Sequence, residues 1–165
     1  MLKLAKLTDY AAVVMTAIAA DPARLHSAQE LADRSHLPPA TVSKLLKQLA
    51  KARLIEATRG AQGGYRLTRS AEQITVADVV DAVEGPIAVT RCSIHTGDCN
   101  IETSCGTRAN WRLINTAIRQ ALEAVTLAQI AAPLRRSSNE NPLTFHPRAK
   151  SAKSTKSTVL WPTPE

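Results

Sequence analysis

All three cysteines of the chain, Cys92, Cys99 and Cys105, fall within residues 91–107, spaced C-x6-C-x5-C with His95, Asp98 and Glu102 between them. Three thiols cannot all pair with one another, and clustered cysteines in a cytosolic protein point to metal or redox chemistry rather than to a disulfide framework. Thiolates are soft ligands for zinc, copper(I) and iron–sulfur clusters, and three on one short loop can converge on a single centre without long-range folding. A fourth ligand must then come from elsewhere in the chain or be other than cysteine. Cys92, His95, Cys99 and Cys105 also have the donor types of a structural zinc site, and a metal-free thiol switch needs the cysteines alone. A thiol-redox enzyme is disfavoured, because the sequence has no C-x-x-C pair, no evident base and no cofactor motif.

The stretches on either side must position that loop. At 165 residues the chain suits one domain with an appended helix or tail. Aromatics make up 3% of it and apolar residues 44%, much of this Ala, Leu, Val and Ile, which suits helices packed through aliphatic seams. The net charge of +7 is unevenly placed. Residues 38–69 carry seven cations against Glu56, a net of +6, and residues 135–165 a net of +4, which leaves −3 for the rest. Localised basic surface is the electrostatic footprint of a nucleic-acid-binding protein.

Periodicity predicts a first helix from about Thr8 to Ala20, with Tyr10, Val14, Ala17 and Ile18 on one face, ended by Asp21-Pro22. Ser27-Ala-Gln-Glu30 reads as a capping box opening a second helix that runs to about Ser35. His36-Leu-Pro-Pro39 breaks the chain, and a third helix covers about Pro39 to Ala52. On it Val42, Leu45, Leu46 and Leu49 form a buried stripe, while Lys44, Lys47 and Lys51 lie opposite, flanked by Thr41, Ser43 and Gln48. Two helices joined by a tight turn, the second with a basic polar face, predict a helix-turn-helix whose recognition helix enters the major groove.

Two strand-like runs follow, 54–58 and 65–68, joined by Arg59-Gly-Ala-Gln-Gly-Gly64. Glycines there supply positive φ in the turn, so the segment reads as a hairpin wing. A phosphate-cradling nucleotide loop is excluded by the missing Gly-Lys-Ser/Thr and by the strand, rather than helix, that follows. Arg59 and Arg66 can hold backbone phosphates or enter a narrow minor groove. The DNA contacts expected from these elements are Thr41, Ser43, Lys44, Lys47, Gln48, Arg59 and Arg66.

Thr75 and Asp78 open a fourth helix that stops at Glu84-Gly85-Pro86. Beyond an extended segment, 87–90, and the cysteine loop, a long helix runs from about Arg108 to Val125. Trp111, Ile114, Ile118, Ala121 and Val125 repeat along it as a coiled-coil seam. A helix of about 18 residues reaches about 27 Å, long enough for the seam to pack on a second protomer, and residues 126–130 add one further turn. From Leu134 the composition turns to Ser, Thr, Pro and Lys, which predicts a disordered basic tail over 135–165 that includes Trp161.

Lys3, Lys6 and the apolar run from Ala11 to Ala20 have some features of a signal peptide, but Asp9 interrupts the approach and the run serves equally as an amphipathic helix. No stretch is long enough to span a membrane, and a cytoplasmic protein is expected. The prediction is a mainly α protein: a winged helix-turn-helix DNA-binding domain at 1–85, a cysteine-rich loop at 86–107, a dimerisation helix at 108–132 and the tail.

This succession resembles the IscR and NsrR type of winged-helix iron–sulfur transcription regulators over roughly residues 1–132. The most specific pieces are Leu7-Thr-Asp-Tyr-Ala11, Arg59-Gly-Ala-Gln-Gly-Gly-Tyr65, Asp81-Ala-Val-Glu-Gly85 and the cysteine triplet. Thr41-Val-Ser-Lys-Leu-Leu-Lys-Gln-Leu49, Glu84-Gly-Pro86 and Cys105-Gly106 before Asn110-Trp111 look most like the regulators of SUF iron–sulfur assembly operons. The resemblance implies a homodimeric repressor, not an enzyme, that binds double-stranded operator DNA according to the state of a 2Fe-2S or 4Fe-4S cluster, the former favoured, with no small-molecule substrate. Two departures stand out. The first cysteine gap is x6 where the better-known relatives have x5, and Arg108 occupies the place of the IscR-type histidine ligand. Arginine cannot serve as a ligand. The nitric-oxide-sensing branch uses an aspartate of the first helix, which by resemblance makes Asp9 the fourth ligand beside Cys92, Cys99 and Cys105, with His95 and Glu102 as local competitors.

Overall fold

The structure, a computed structural model that describes residues 3–60, 62–90 and 105–132, starts with a helix whose cap comes from another element. α1 (Lys6–Ala19) has alanine at its N-cap and no capping side chain of its own. Instead the Glu84 carboxylate accepts the Ala5 N–H at 2.8 Å and the Thr8 hydroxyl, satisfying first-turn groups that a helix leaves open. The helix therefore begins two residues ahead of the expected Thr8. Its buried face is Ala11, Val14, Met15 and Ile18, while Tyr10 and Ala17 are only partly buried beside it. The face is rotated from the expected one by about one position, and Met15 is at its centre.

α2 (Ala28–Ser35) begins where Ser27 Oγ accepts the Glu30 N–H at 3.1 Å. The other half of the expected capping box is not made: the Glu30 carboxylate turns to Arg24 and, at 3.6 Å, to Arg34. Two guanidinium groups outcompete one backbone amide. After α2 the chain reverses at His36, whose φ is 54°. The His36 and Leu37 N–H groups donate to Asp33 and Ala32 carbonyls, the paired bonds of a Schellman ending. α3 (Pro39–Lys51) follows with proline in its first turn. Val42, Leu45, Leu46 and Leu49 are 0% exposed and form its inward stripe as expected.

The same ending closes α3. Arg53 has φ 57°, and the Arg53 and Leu54 N–H groups donate to Ala50 and Leu49 at 3.0 Å each. Glycine is the ordinary occupant of such a position, since a side chain in the left-handed region costs roughly 1 kcal/mol or more. His36→Gly is thus expected to raise the free energy of unfolding by roughly 0.5–1 kcal/mol, read from the urea midpoint at an unchanged slope. A lower midpoint would show that the imidazole makes a stabilising contact that outweighs the backbone cost.

β1 (Ile55–Thr58) and β2 (Gly64–Leu67) pair antiparallel, with Glu56 opposite Arg66 and Ala57 opposite Tyr65. A third short segment joins them: His26 and Tyr65 exchange N–H···O bonds of 3.0 and 2.9 Å, tying the hairpin to the α1–α2 connection. At Gly64 a Cβ would lie 2.8 Å from the His26 carbonyl oxygen. That residue is glycine because of a close backbone approach, whereas positive φ, expected generally for this turn, occurs at Gly60 (117°).

A 3-10 turn, Ala71–Gln73, leads to α4 (Val76–Glu84), where the Thr75 and Asp78 side chains cap each other's backbone N–H as expected. α5 (Arg108–Glu123) packs on α4, and α6 (Leu127–Ala131) on α1. The Val76 N–H donates to Val125 and the Leu127 N–H to Ile74, at 2.9 and 2.7 Å, joining the α5–α6 corner to the start of α4. Leu127 and Ile74 complete the core formed by α1 to α4. The expected seam of α5 is divided: Ile118 and Val125 are half-buried, while Trp111, Ile114 and Ala121 stay exposed. Leu113, off that seam, is 71% exposed. The expected basic tail, 135–165, lies outside the described residues. Among the described residues no helix is long and apolar enough to cross a membrane.

Candidate nucleic-acid interface and cysteine site

Ion pairing separates the cations into two groups. Arg24 pairs with Asp21 and Glu30, Arg34 with Glu30, Arg69 with Asp78, and Arg119 with Asp81 and Glu123. Burial works to raise the Glu30 carboxyl, but the Arg24 charge and the hydrogen bonds of His26 and Arg24 together hold it below the ordinary carboxylate range. On α3 and the start of the wing, Lys44, Lys47, Lys51, Arg53 and Arg59 are exposed and have no ion pair among the described residues. Positive charge that the fold has not neutralised is therefore concentrated on one helix and the adjoining hairpin. Cations placed in this way attract backbone phosphates.

The individual DNA contacts expected from sequence differ in their setting. Lys44, Lys47, Ser43 and Arg59 are exposed, and Thr41 is half-buried in the first turn of α3. Arg66 is held by Glu56, its cross-strand neighbour, so its charge is already offset. Gln48 turns its amide oxygen inward, buried and without a hydrogen-bond partner among the described residues.

Of the expected cluster ligands, Cys92 and Cys99 lie outside the described residues, as do His95 and Glu102. Cys105 is half-buried three residues ahead of α5, with Sγ 3.3 Å from Thr107 Oγ1. Asp9 is exposed on the first turn of α1. There it borders a mainly apolar cleft of about 290 Å³ formed with Leu4, Ala12, Val79, Val80 and Ile130. No group of three or more His, Cys, Asp or Glu side chains able to hold a metal occurs among the described residues.

Sequence reasoning missed the residues that hold the chain on either side of the cysteines. Asp81 accepts the Ile87 N–H with one carboxylate oxygen at 3.2 Å and Arg119 with the other at 2.9 Å. Asn115 of α5 accepts the Val89 N–H at 3.2 Å. The hydrogen bond to Asp81, then that carboxylate's charge, keep Arg119 even more firmly protonated than usual. With Glu84 capping α1, the last turn of α4 meets three things: the segment leading to the cysteines, the helix that follows them, and the helix bearing Asp9. Two carboxylates three residues apart, ahead of Gly-Pro, were the available signal.

A two-helix reading unit with its unneutralised cations facing outward, and a hairpin tied back to the helical body, define a winged helix-turn-helix DNA-binding protein. Residues 4–133 match the model of the Rrf2 family, described as an iron-dependent transcriptional regulator, and the chain belongs to that family. It is a transcriptional regulator, not an enzyme. Protein aau3 of Rhizobium meliloti is 35% identical over 125 residues, spanning 74% of this chain and 76% of that protein. The HTH-type transcriptional regulator IscR of Vibrio campbellii is 31% identical over 135 residues, 78% of this chain and 77% of its own. Among solved structures, CymR, the global cysteine regulator of B. subtilis, superposes with a TM-score of 0.63 at 27% identity, covering 79% of this chain and 97% of that one.

Proposed function

We propose that the chain is an iron–sulfur-dependent repressor of SUF-type cluster assembly genes, acting as a homodimer on double-stranded operator DNA in the cytoplasm. The observation that carries this reading is the place of Cys105. It stands three residues ahead of α5, which leaves Trp111, Leu113 and Ile114 exposed among the described residues, so the cysteine-bearing segment joins the DNA-reading body to a helix with an exposed apolar face. The similarity to IscR supports the same reading.

Cys92, Cys99 and Cys105 would hold the cluster, 2Fe-2S in preference to 4Fe-4S, with Asp9 as fourth ligand. The donor chemistry fits: thiolates are the ordinary ligands of such clusters, and the exposed Asp9 carboxylate has no ion pair among the described residues. When bound, the cluster supplies a link between α1 and the cysteine segment that changes with oxidation and cluster supply. The chain's own part is positional. Asp81, Asn115 and Arg119 fix the approach to the cysteines against α5, and Glu84 fixes the start of α1. In a dimer formed through the exposed face of α5, a change of tilt there alters the separation of the two α3 helices, which must match half-sites about 34–36 Å apart. Lys44, Lys47 and Arg59 neutralise phosphates, Thr41 and Ser43 border the groove, Gln48 joins them on turning its buried amide oxygen outward, and Arg66 joins when DNA displaces Glu56.

Anaerobic purification tests the proposal. A brown protein with broad visible absorption, altered in Asp9→Ala, is the expected result; an unchanged Asp9→Ala spectrum removes Asp9 from the ligand set. A colourless protein with stoichiometric zinc overturns the cluster reading. A second reading, a metal-free thiol switch, is favoured by the half-exposed Cys105 thiol beside Thr107. It requires that oxidation alone change the DNA affinity of metal-free protein.

A further inference from the structure

We propose that Arg53 is an additional phosphate-binding residue, placed between the recognition helix and the wing; the inference rests on the DNA-binding reading above. Arg53 occupies the left-handed position that closes α3. The bonds that make this ending, Arg53 N–H to Ala50 and Leu54 N–H to Leu49, are wholly backbone. The side chain contributes nothing to them, and glycine would make them at lower conformational cost. Any use that offsets this cost belongs to the side chain.

The surroundings say what that use is. The Arg53 carbonyl accepts the Thr68 hydroxyl at 2.6 Å, which ties its backbone to the end of β2 and fixes where the side chain starts. The guanidinium group is exposed and has no carboxylate partner among the described residues, unlike Arg66 and Arg69, which are paired with Glu56 and Asp78. Its neighbours along the chain are Lys51 at the end of α3 and, across β1, Arg59 at the hairpin turn, both also unpaired among the described residues. In chain order it is thus the middle one of three exposed cations that have no ion pair among the described residues. A planar guanidinium group can meet phosphate oxygens with two parallel N–H bonds. The bland alternative is a solvated side chain at a helix end, and it makes the opposite prediction.

The test uses the full chain and a mixed-sequence duplex, with binding measured between about 50 and 200 mM salt, where phosphate contacts dominate the dependence. Arg53→Gly should unfold at a higher temperature than the parent, as is expected of His36→Gly, yet bind DNA several-fold more weakly at low salt. Its plot of log affinity against log salt should be shallower by about 0.9 for each protomer bound. Arg53→Lys, which keeps the charge, should keep the parental slope. An Arg53→Gly protein with the parental slope and affinity overturns the proposal, because a merely structural arginine would leave both unmoved. A parent protein whose duplex binding does not depend on salt would instead overturn the DNA-binding reading, and the inference with it.

Discussion

Reversing the charge of Lys44 and Lys47 together is expected to weaken DNA binding by roughly 100-fold or more while leaving the protein folded. Both side chains project from the outward face of α3, and neither has an ion pair among the described residues, so no internal interaction is lost with them. On the proposed reading their loss removes two phosphate contacts per protomer, and the glutamates that replace them repel the backbone. At about 0.1 M salt the affinity for a mixed-sequence duplex should fall by roughly 100-fold or more, with the salt slope reduced by about 1.8 per protomer. The thermal midpoint should stay within a few degrees of the parent, because exposed charges contribute little to stability. Retained affinity in Lys44→Glu/Lys47→Glu would mean that α3 is not the helix that meets DNA.

The opposite face of the same helix should respond in the opposite way. Leu46 is fully buried in the core shared by α1, α2, α3 and β1. Leu46→Ala removes three carbons from a site closed on all sides and is expected to cost about 2–5 kcal/mol, a large fraction of the 5–15 kcal/mol typical of a domain. Urea unfolding should show a lower midpoint at unchanged slope. At temperatures where the variant remains folded, its salt slope for DNA should equal that of the parent, since Lys44 and Lys47 are untouched. A loss below about 1 kcal/mol would mean that the site collapses around the smaller side chain.

Features whose cause lies within one turn were legible in the sequence. The Thr75–Asp78 cap, the four-residue apolar stripe of α3 and the proline start of that helix each depend on neighbours a few residues away, and each formed as expected. Features decided by distant partners were not. α1 starts early because Glu84, 79 residues away, supplies its cap. Glu30 leaves the Ser27 box because the fold brings Arg24 and Arg34 to it. The α5 seam follows a regular three-four spacing, but the spacing does not reveal that α4 packs on α5 while Trp111 and Ile114 of the seam stay exposed. The candidate DNA surface was read from charge spacing alone. Which cations remain free for phosphate is a matter of three-dimensional pairing, and this separates Arg53 from Arg66. For the cysteines the sequence supplied donor types, while the Asp81, Asn115 and Arg119 contacts beside them required coordinates.

The exchange of hydrogen bonds between His26 and Tyr65 has a consequence for local unfolding. A two-stranded hairpin of four residues per strand is marginal in water by itself, so the wing depends on its pairing with the α1–α2 connection together with the packing of Ile55, Tyr65 and Leu67 on the core. The two segments should then open as one cooperative unit, and the His26 and Tyr65 amides should exchange with solvent at a common free energy of opening. Arg59 is carried on that unit. Its position relative to α3 is settled before DNA arrives, and the entropy of ordering the wing is met in folding instead of being charged to each binding event.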